Sequence, residues 1–196
     1  QHEEYRLTRE TQYFDIKTVA DVNSGLPNTM PSVEMFKEHM ERMRIGKDCE
    51  IVCYDHVGMF SVARCAWMLR YFGAGNVRIM NGGLQKWLKE GRAVYSGAYT
   101  PGEGLPTEGD YASWVVQDPS DLAHLDQVHS IVSKLHHGDK SWQIIDSRPP
   151  PRFNGEVEEP AGTRQGHIPY SINVPFTEMI DAETGGLKSN EALTAV

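Results

Sequence analysis

Cysteine is scarce in this sequence, and both long hydrophobic runs and an excess of basic residues are absent. Three cysteines among 196 residues do not make the disulfide framework of a small secreted protein, and they favour a reducing compartment. No apolar run reaches the about 20 residues that a membrane-spanning helix requires. The net charge of -8 argues against a nucleic-acid partner, because phosphate binding needs a basic face. The first residues also lack the apolar core and cleavage site of a signal peptide.

The composition is that of a globular protein, with 39% hydrophobic and 23% charged residues. This length suits one large or two small domains. Residues 96–110 interrupt the pattern with four glycines and two prolines, a composition typical of a linker. We therefore predict a first domain over residues 1–97, a linker over 98–117 and a second domain over 118–196.

Helical and strand patterns alternate on each side of this linker. A helix is indicated where apolar side chains recur every three or four residues, and a short apolar run with β-branched residues indicates a buried parallel strand. Strands separated by helices predict an α/β fold, in which a parallel sheet carries helices on its faces. In the first domain, the predicted helices cover residues 32–45, 59–72 and 84–90, and the predicted strands cover residues 51–54 and 77–80.

The second domain repeats this order. We predict a helix over residues 120–136, capped by Ser120 or Asp121, because serine and aspartate accept hydrogen bonds from the first helical amides. Predicted strands over 142–145 and 172–174 follow, and residues 190–196 begin a helix that the chain does not finish. We therefore expect this second domain to be incomplete at its C-terminal end.

Two stretches of sequence carry a resemblance to a known family. The first includes Tyr54-Asp55, residues 60–73 (FSVARCAWMLRYFG) and residues 81–88 (NGGLQKWL). The second includes residues 145–148 (IDSR), 152–155 (RFNG), Glu159-Pro160, 166–169 (GHIP) and 171–176 (SINVPF). In order and spacing, both are similar to the thiosulfate and 3-mercaptopyruvate sulfurtransferases, which are tandem-domain rhodaneses. The resemblance covers about residues 5–196. It implies two rhodanese-like domains, of which the first is non-catalytic and N-terminally incomplete.

The resemblance also implies an activity, the transfer of sulfane sulfur from thiosulfate or 3-mercaptopyruvate to a thiophilic acceptor. In this family the catalytic cysteine lies in a loop of the second domain, where backbone amides surround its sulfur and stabilise a thiolate and a persulfide. We expect this loop to lie beyond Val196, so the chain alone is predicted to be inactive and to bind a sulfur donor only with that loop. The resemblance implies no cofactor.

Five residues are weighed as candidate site residues. Asp55 matches the position where the family's first domain carries an aspartate in place of the cysteine, and its alternative role is a helix N-cap. Arg152 matches a substrate-binding arginine whose guanidinium suits an oxyanion, and its alternative is a structural arginine. His167 is interpreted as a structural residue of a turn, whose side chain bonds to nearby backbone or to the aspartate at the end of the strand. Cys49 and Cys53 lack the spacing of a zinc site, so no metal is predicted.

The sequence also departs from the family pattern. Lys17 and Asn28 stand at the positions of an acid and a histidine in the mercaptopyruvate enzymes, and Ala161 replaces a second arginine. These losses leave a second hypothesis open, in which the chain is a degenerate, non-catalytic rhodanese. It would then serve as a structural subunit, docked against other protein subunits of a larger assembly. The resemblance favours a mitochondrial location over a cytoplasmic one.

Overall fold

The computed structural model describes residues 5–159 and 162–194, and the chain forms two compact units. The first unit comprises the residues up to Asp118 together with Ala182–Leu187. The second unit comprises Pro119–Asp181 and the residues from Lys188 onward. None of the helices in the described part has the length and apolar character that crossing a membrane would need.

The first unit is an α/β structure built around two parallel strands. Strand β1 pairs with β2 in parallel, with Ile51 opposite Val77 and Cys53 opposite Ile79. The predicted helices and strands of this unit are confirmed within a few residues at their ends. They are α1 (Val33–Met43), β1 (Ile51–Cys53), α2 (Val62–Tyr71), β2 (Val77–Ile79) and α3 (Gly83–Lys89).

Helix α1 shows how sequence sets the core of the first unit. Ser32 caps the helix as predicted, since its hydroxyl oxygen accepts a hydrogen bond from the Met35 amide at 3.2 Å. The inward face of the helix buries Phe36 and two methionines. The Phe36 ring stacks on Phe72 with centroids 4.1 Å apart and meets Trp114 edge-on at 5.2 Å. This aromatic group forms the centre of the core.

The predicted linker differs from the structure, because its C-terminal part is packed into the first unit. Trp114 is 0% exposed, although it lies within residues 98–117. The backbone on either side is tied to the end of α2, with Val115 N donating to Phe72 O at 3.1 Å and Gln117 N donating to Tyr71 O at 3.0 Å. The glycines and prolines of this segment mark turns, whereas the burial of one large side chain decides where the segment lies.

A short segment from late in the chain also belongs to the first unit. Within Ala182–Leu187, the Glu183 carbonyl accepts a hydrogen bond from Lys89 Nζ at 2.8 Å. The Leu187 amide donates to Asn81 Oδ1 at 2.7 Å. In the second unit, Lys188 N donates to Met179 O at 3.0 Å. Residues 182–187 therefore form an excursion from the second unit, and nothing in their sequence predicts it.

The second unit contains another pair of parallel strands, with Ile145 opposite Ile172. Its first helix begins later than predicted: Pro119–Asp121 forms one 3-10 turn, and the α-helix starts after His124, whose amide donates to Gln127 Oε1 at 2.7 Å. The predicted cap at Ser120 or Asp121 is therefore wrong. The elements are α4 (Leu125–His136), β3 (Ile144–Asp146), α5 (Pro150–Asn154), β4 (Ser171–Asn173) and α6 (Asn190–Thr194).

The strands are less buried than their apolar sequences predicted. Val52 of β1 is 57% exposed, and Ile145 and Ile172 of β3 and β4 are 62% and 53% exposed. Alternate residues of a strand point to opposite faces, so one face of each strand pair is open within the described residues. The substitution at Ala161 and the end of the helix predicted over 190–196 lie outside the described residues.

Candidate functional site

Asp55 lies at the end of β1 and organises the loop that follows it. Its Oδ2 accepts hydrogen bonds from the Ser61 amide at 2.9 Å and from the Val62 amide at 3.3 Å. These are the first amides of α2, which point out of a helix without partners of their own. The structure therefore gives Asp55 the capping role that was its alternative from the sequence, although it caps α2 from six residues away while Ser61 occupies the N-cap position itself. Its carboxylate fills the amide pocket that could otherwise hold an external anion.

The backbone of Asp55 also anchors helix α3. Its carbonyl oxygen accepts a hydrogen bond from the Leu84 amide at 2.9 Å. Gly83 approaches so closely that an added Cβ would lie 2.5 Å from that same oxygen, and its φ of +56° is left-handed. Only glycine fits such a conformation and distance without strain. One aspartate thus connects the C-terminal end of β1 with the N-terminal ends of α2 and α3.

Arg152 lies in the second unit, on α5, within a group of four charged side chains. Its Nε donates to Glu159 Oε1 at 3.1 Å, and its Nη2 donates to Glu159 Oε2. Glu159 also accepts from Arg148 Nη1 at 2.9 Å. Arg148 Nε in turn donates to Asp146 Oδ1 at 2.9 Å. Two arginines and two carboxylates therefore form one balanced network, which we call the Arg152 cluster (Asp146, Arg148, Arg152 and Glu159).

The Arg152 cluster holds its carboxylates firmly in the charged form. Hydrogen bonding by the Arg152 guanidinium keeps the pKa of Glu159 below its usual value, and Arg148 does the same for the pKa of Asp146. The Glu159 side chain is 5% exposed, whereas 38% of the Arg152 side chain remains accessible. Arg152 can therefore meet a ligand, but it already shares its charge with a buried carboxylate.

His167 and Asn173 hold the backbone around this cluster. The Nδ1 atom of His167 lies 2.8 Å from Phe153 O, and the two rings stack with centroids 3.8 Å apart. Asn173 Nδ2 donates to the carbonyls of Asp146 and Arg148 at 2.9 Å each. The structural role predicted for His167 is confirmed, since it bonds to nearby backbone.

Sequence reasoning missed Glu159 as the partner of Arg152. The sequence shows an acid, Glu159, seven positions further along the chain, but it does not show the partial burial of Arg152 that makes a counter-charge necessary. The structure also describes Lys17 and Asn28, two of the residues that depart from the family pattern. Lys17 is exposed, and Asn28 adopts a φ of +56° while its carbonyl accepts a hydrogen bond from Arg64 Nη2.

The two predicted site residues, Asp55 and Arg152, fall in different units. No group of three metal-ligating side chains comes together in the part of the chain that the structure describes. The three cysteines are free; Cys49 is exposed, Cys53 is buried and Cys65 is half-buried. None of them is at the position of Asp55, whose carboxylate receives the loop amides.

The Arg152 cluster makes the second unit sensitive to acid. A carboxyl group whose pKa is lowered on folding stabilises the fold above its unfolded pKa and loses that effect as the pH falls through its folded pKa. For Glu159, this stabilisation begins to be lost when the pH falls below 4.5, the ordinary pKa of a glutamate side chain. We expect Glu159→Gln to weaken the amide hydrogen-exchange protection of β3 and β4 at neutral pH. The further fall of that protection in acid should be smaller in the variant than in the original chain.

Glu158→Gln is the matched control, because Glu158 is adjacent and exposed. Exchange can be followed by mass spectrometry on peptides covering residues 144–148 and 171–174. Equal protection in the two variants at neutral pH would show that the ion pairs do not stabilise this unit.

Comparison with known proteins gives consistent matches. A family model described as a rhodanese-like domain matches residues 14–90. The 3-mercaptopyruvate sulfurtransferase of Escherichia coli K12 is 36% identical over 185 residues, which cover 94% of this chain and 61% of that protein. The mitochondrial thiosulfate/3-mercaptopyruvate sulfurtransferase 1 of Arabidopsis thaliana is 34% identical, covering 87% of this chain and 48% of that protein.

A solved structure is similar to this chain over nearly its whole length. The Tum1 protein of Saccharomyces cerevisiae has a TM-score of 0.86 and 26% identity, covering 98% of this chain and 63% of that one. The chain spans 61% and 48% of the lengths of the two curated relatives. The likeness extends over both units, beyond the residues that the family model matches.

Proposed function

Because this chain belongs to the rhodanese-fold family of thiosulfate and 3-mercaptopyruvate sulfurtransferases, we propose that it is the main part of a sulfurtransferase. The whole protein would move a sulfane sulfur from thiosulfate or 3-mercaptopyruvate to a thiophilic acceptor. The observation that carries this proposal is the 36% identity to a named sulfurtransferase over 94% of the chain. The fold alone would not suffice, since one fold hosts many functions.

The first unit is proposed to be non-catalytic. A sulfur-transfer loop must leave its amides free to stabilise a thiolate and then a persulfide. In the loop after β1, the Ser61 and Val62 amides already donate to the carboxylate of Asp55. A second anion would meet a negative charge there. This unit would therefore support the fold of the whole protein.

In the second unit, Arg152 is proposed to bind the sulfur donor. A planar guanidinium can bind a carboxylate or the oxygens of thiosulfate through two hydrogen bonds. Arg152 is held in place by Glu159 while part of its side chain stays accessible. Glu159 would thus be a positioning residue, and an arriving anion would share Arg152 with it.

The chain by itself is proposed to be inactive, since none of its three cysteines lies in an amide pocket like that around Asp55. We expect residues 1–196 to form no more thiocyanate from thiosulfate and cyanide than buffer does. A longer polypeptide that continues past Val196 into a cysteine loop should turn over. In it, Arg152→Ala should raise the KM for the donor at least about tenfold, because charge-assisted hydrogen bonds contribute about 1.5–3 kcal/mol, and Arg152→Lys should recover part of the loss.

The control in that experiment is Arg164→Ala, because Arg164 is an exposed arginine of the same unit. If residues 1–196 do turn over and the activity disappears in Cys53→Ser or Cys65→Ser, that cysteine is the nucleophile and the proposal of an inactive chain is wrong. An unchanged KM in Arg152→Ala would remove Arg152 from the donor site while leaving the family activity in place.

A second candidate function is a non-catalytic subunit of a larger assembly. It is favoured by the exposure of Ile145 and Ile172, which pair across β3 and β4 and are 62% and 53% exposed. Exposed apolar strand faces require cover. Such an assembly would be mitochondrial or cytoplasmic, and the relative from Arabidopsis is named as mitochondrial. A longer polypeptide that remains inactive with both donors would favour this candidate.

A further inference from the structure

Two cysteine side chains meet in the first unit, at a place that the proposed function does not use. Cys53 is the last residue of β1 and Cys65 lies in the second turn of α2. The Cys65 thiol donates a weak hydrogen bond to Cys53 Sγ, and the two sulfur atoms are 3.9 Å apart. The two sulfur atoms are therefore not bonded, because a disulfide bond is about 2.05 Å long. Rotation of the two side chains could bring them closer.

Both thiols can be reached by small molecules. A cavity of about 710 Å³ in the first unit is lined by Cys53 and Cys65 together with Asp55, Val62 and Leu69. In all, Cys53 is only 7% exposed, and Cys65 is half-buried. The two thiols are therefore shielded from the surface of another protein, whereas a molecule of the size of hydrogen peroxide fits within the cavity.

The two thiols differ in reactivity. The hydrogen bond from Cys65 lowers the pKa of Cys53, and the charge of Arg70 contributes in the same direction against the effect of burial. The pKa of Cys65 is raised, because its proton is shared with Cys53 and its site is buried. The thiolate is the reactive form of cysteine, so Cys53 is the nucleophile of the pair and Cys65 the second partner.

We propose that Cys53 and Cys65 are a redox-active pair that a small peroxide converts into an intramolecular disulfide. The Cys53 thiolate attacks one peroxide oxygen, the O–O bond breaks, and a sulfenic acid and hydroxide form. The Cys65 sulfur then attacks the Cys53 sulfur and releases the sulfenic oxygen as water. The net change is two thiols and one peroxide to one disulfide and two waters. A dithiol reductant reverses it.

The disulfide would close the loop of residues 54–64 covalently. That loop contains Asp55 and the amides of Ser61 and Val62 that it binds. A bond between the end of β1 and α2 would hold this loop against opening. The proposal does not depend on sulfur transfer, so it can fail or succeed independently of the proposed function.

The test is peroxide titration of the native chain followed by thiol counting under denaturing conditions. We expect the three free thiols to fall to one, with a mass loss of about 2 Da for the two hydrogens removed. A peptide map should join Cys53 to Cys65. Persistence of three thiols, or a linked dimer formed through Cys49 alone, would overturn the proposal.

Single variants separate the roles of the two sulfurs. Cys65→Ser should stop the reaction at a sulfenic acid on Cys53, which a dimedone label captures as an adduct. Cys53→Ser should leave Cys65 as an unlabelled thiol. Cys49→Ser is the matched control, since Cys49 is exposed, and it should still lose two hydrogens. A label on Cys65 in Cys53→Ser, equal to that on Cys53 in Cys65→Ser, would contradict the assignment of the nucleophile.

Discussion

Replacing Trp114 with alanine is expected to lower the free energy of unfolding of the first unit by about 3–5 kcal/mol. The side chain is 0% exposed and meets the Phe36 ring edge-on at 5.2 Å, so its removal leaves a large cavity. The loss should appear as a lower midpoint in urea denaturation followed by far-ultraviolet circular dichroism. It would be a large fraction of the stability of a small domain.

Two further variants show whether the loss comes from packing. Trp114→Phe keeps most of the apolar volume, and Trp114 Nε1 has no hydrogen-bond partner within the described residues, so we expect a much smaller loss. Val115→Ala should cost little, because Val115 is 50% exposed. If Trp114→Ala were as mild as Val115→Ala, residues 98–117 would behave as the linker that their composition predicts.

Gly83→Ala is expected to destabilise the first unit by about 2–4 kcal/mol. The φ of +56° is unfavourable for alanine, and the added Cβ would lie 2.5 Å from the carbonyl oxygen of Asp55. That oxygen already accepts the Leu84 amide, so relief of the clash would stretch the bond that starts α3. Urea denaturation measures the cost, and hydrogen exchange of α3 should locate it.

Gly91→Ala is the matched control for the backbone conformation. Gly91 also has a left-handed φ, +67°, but a Cβ there would have nothing within 4 Å. Its substitution should therefore cost only the conformational part, about 1 kcal/mol. Equal losses in the two variants would mean that the contact with Asp55 relaxes without cost and that Asp55 does not depend on Gly83.

The local elements of the fold could be predicted because their causes are local. The apolar spacing of α1 and the hydroxyl of Ser32 act within a few residues, and both are found in the structure. The short apolar runs likewise predicted the parallel strand pairs. The position of Asp55 at the end of β1 was also visible, because the side chain and the amides that it caps are only six and seven residues apart.

Distant contacts account for what the sequence could not predict. The burial of Trp114 depends on Phe36, which is far away in the chain. Composition instead emphasised the glycines and prolines around Trp114. The pairing of Cys53 with Cys65 depends on how α2 packs on β1, and no spacing rule for metals or disulfides marks it. Arg152 was identified by resemblance alone, which gives a residue's position but not its partner Glu159.

The excursion of residues 182–187 has a consequence for how such proteins can exchange parts during evolution. A single genetic crossover after the codon of Asp118 would join the body of the first unit to residues 182–187 from a different parent. The two hydrogen bonds described for this segment, at Glu183 O and Leu187 N, use its backbone atoms. Every residue type supplies the carbonyl, and every residue type except proline supplies the amide. A hybrid should therefore tolerate changed side chains at Glu183 and Leu187. It should not tolerate them at Gly185, whose φ is +68°, or at Gly186, where an added Cβ would lie 2.8 Å from Asn81 Oδ1. An insertion or deletion that shifts the two backbone atoms away from Lys89 and Asn81 should also be disruptive.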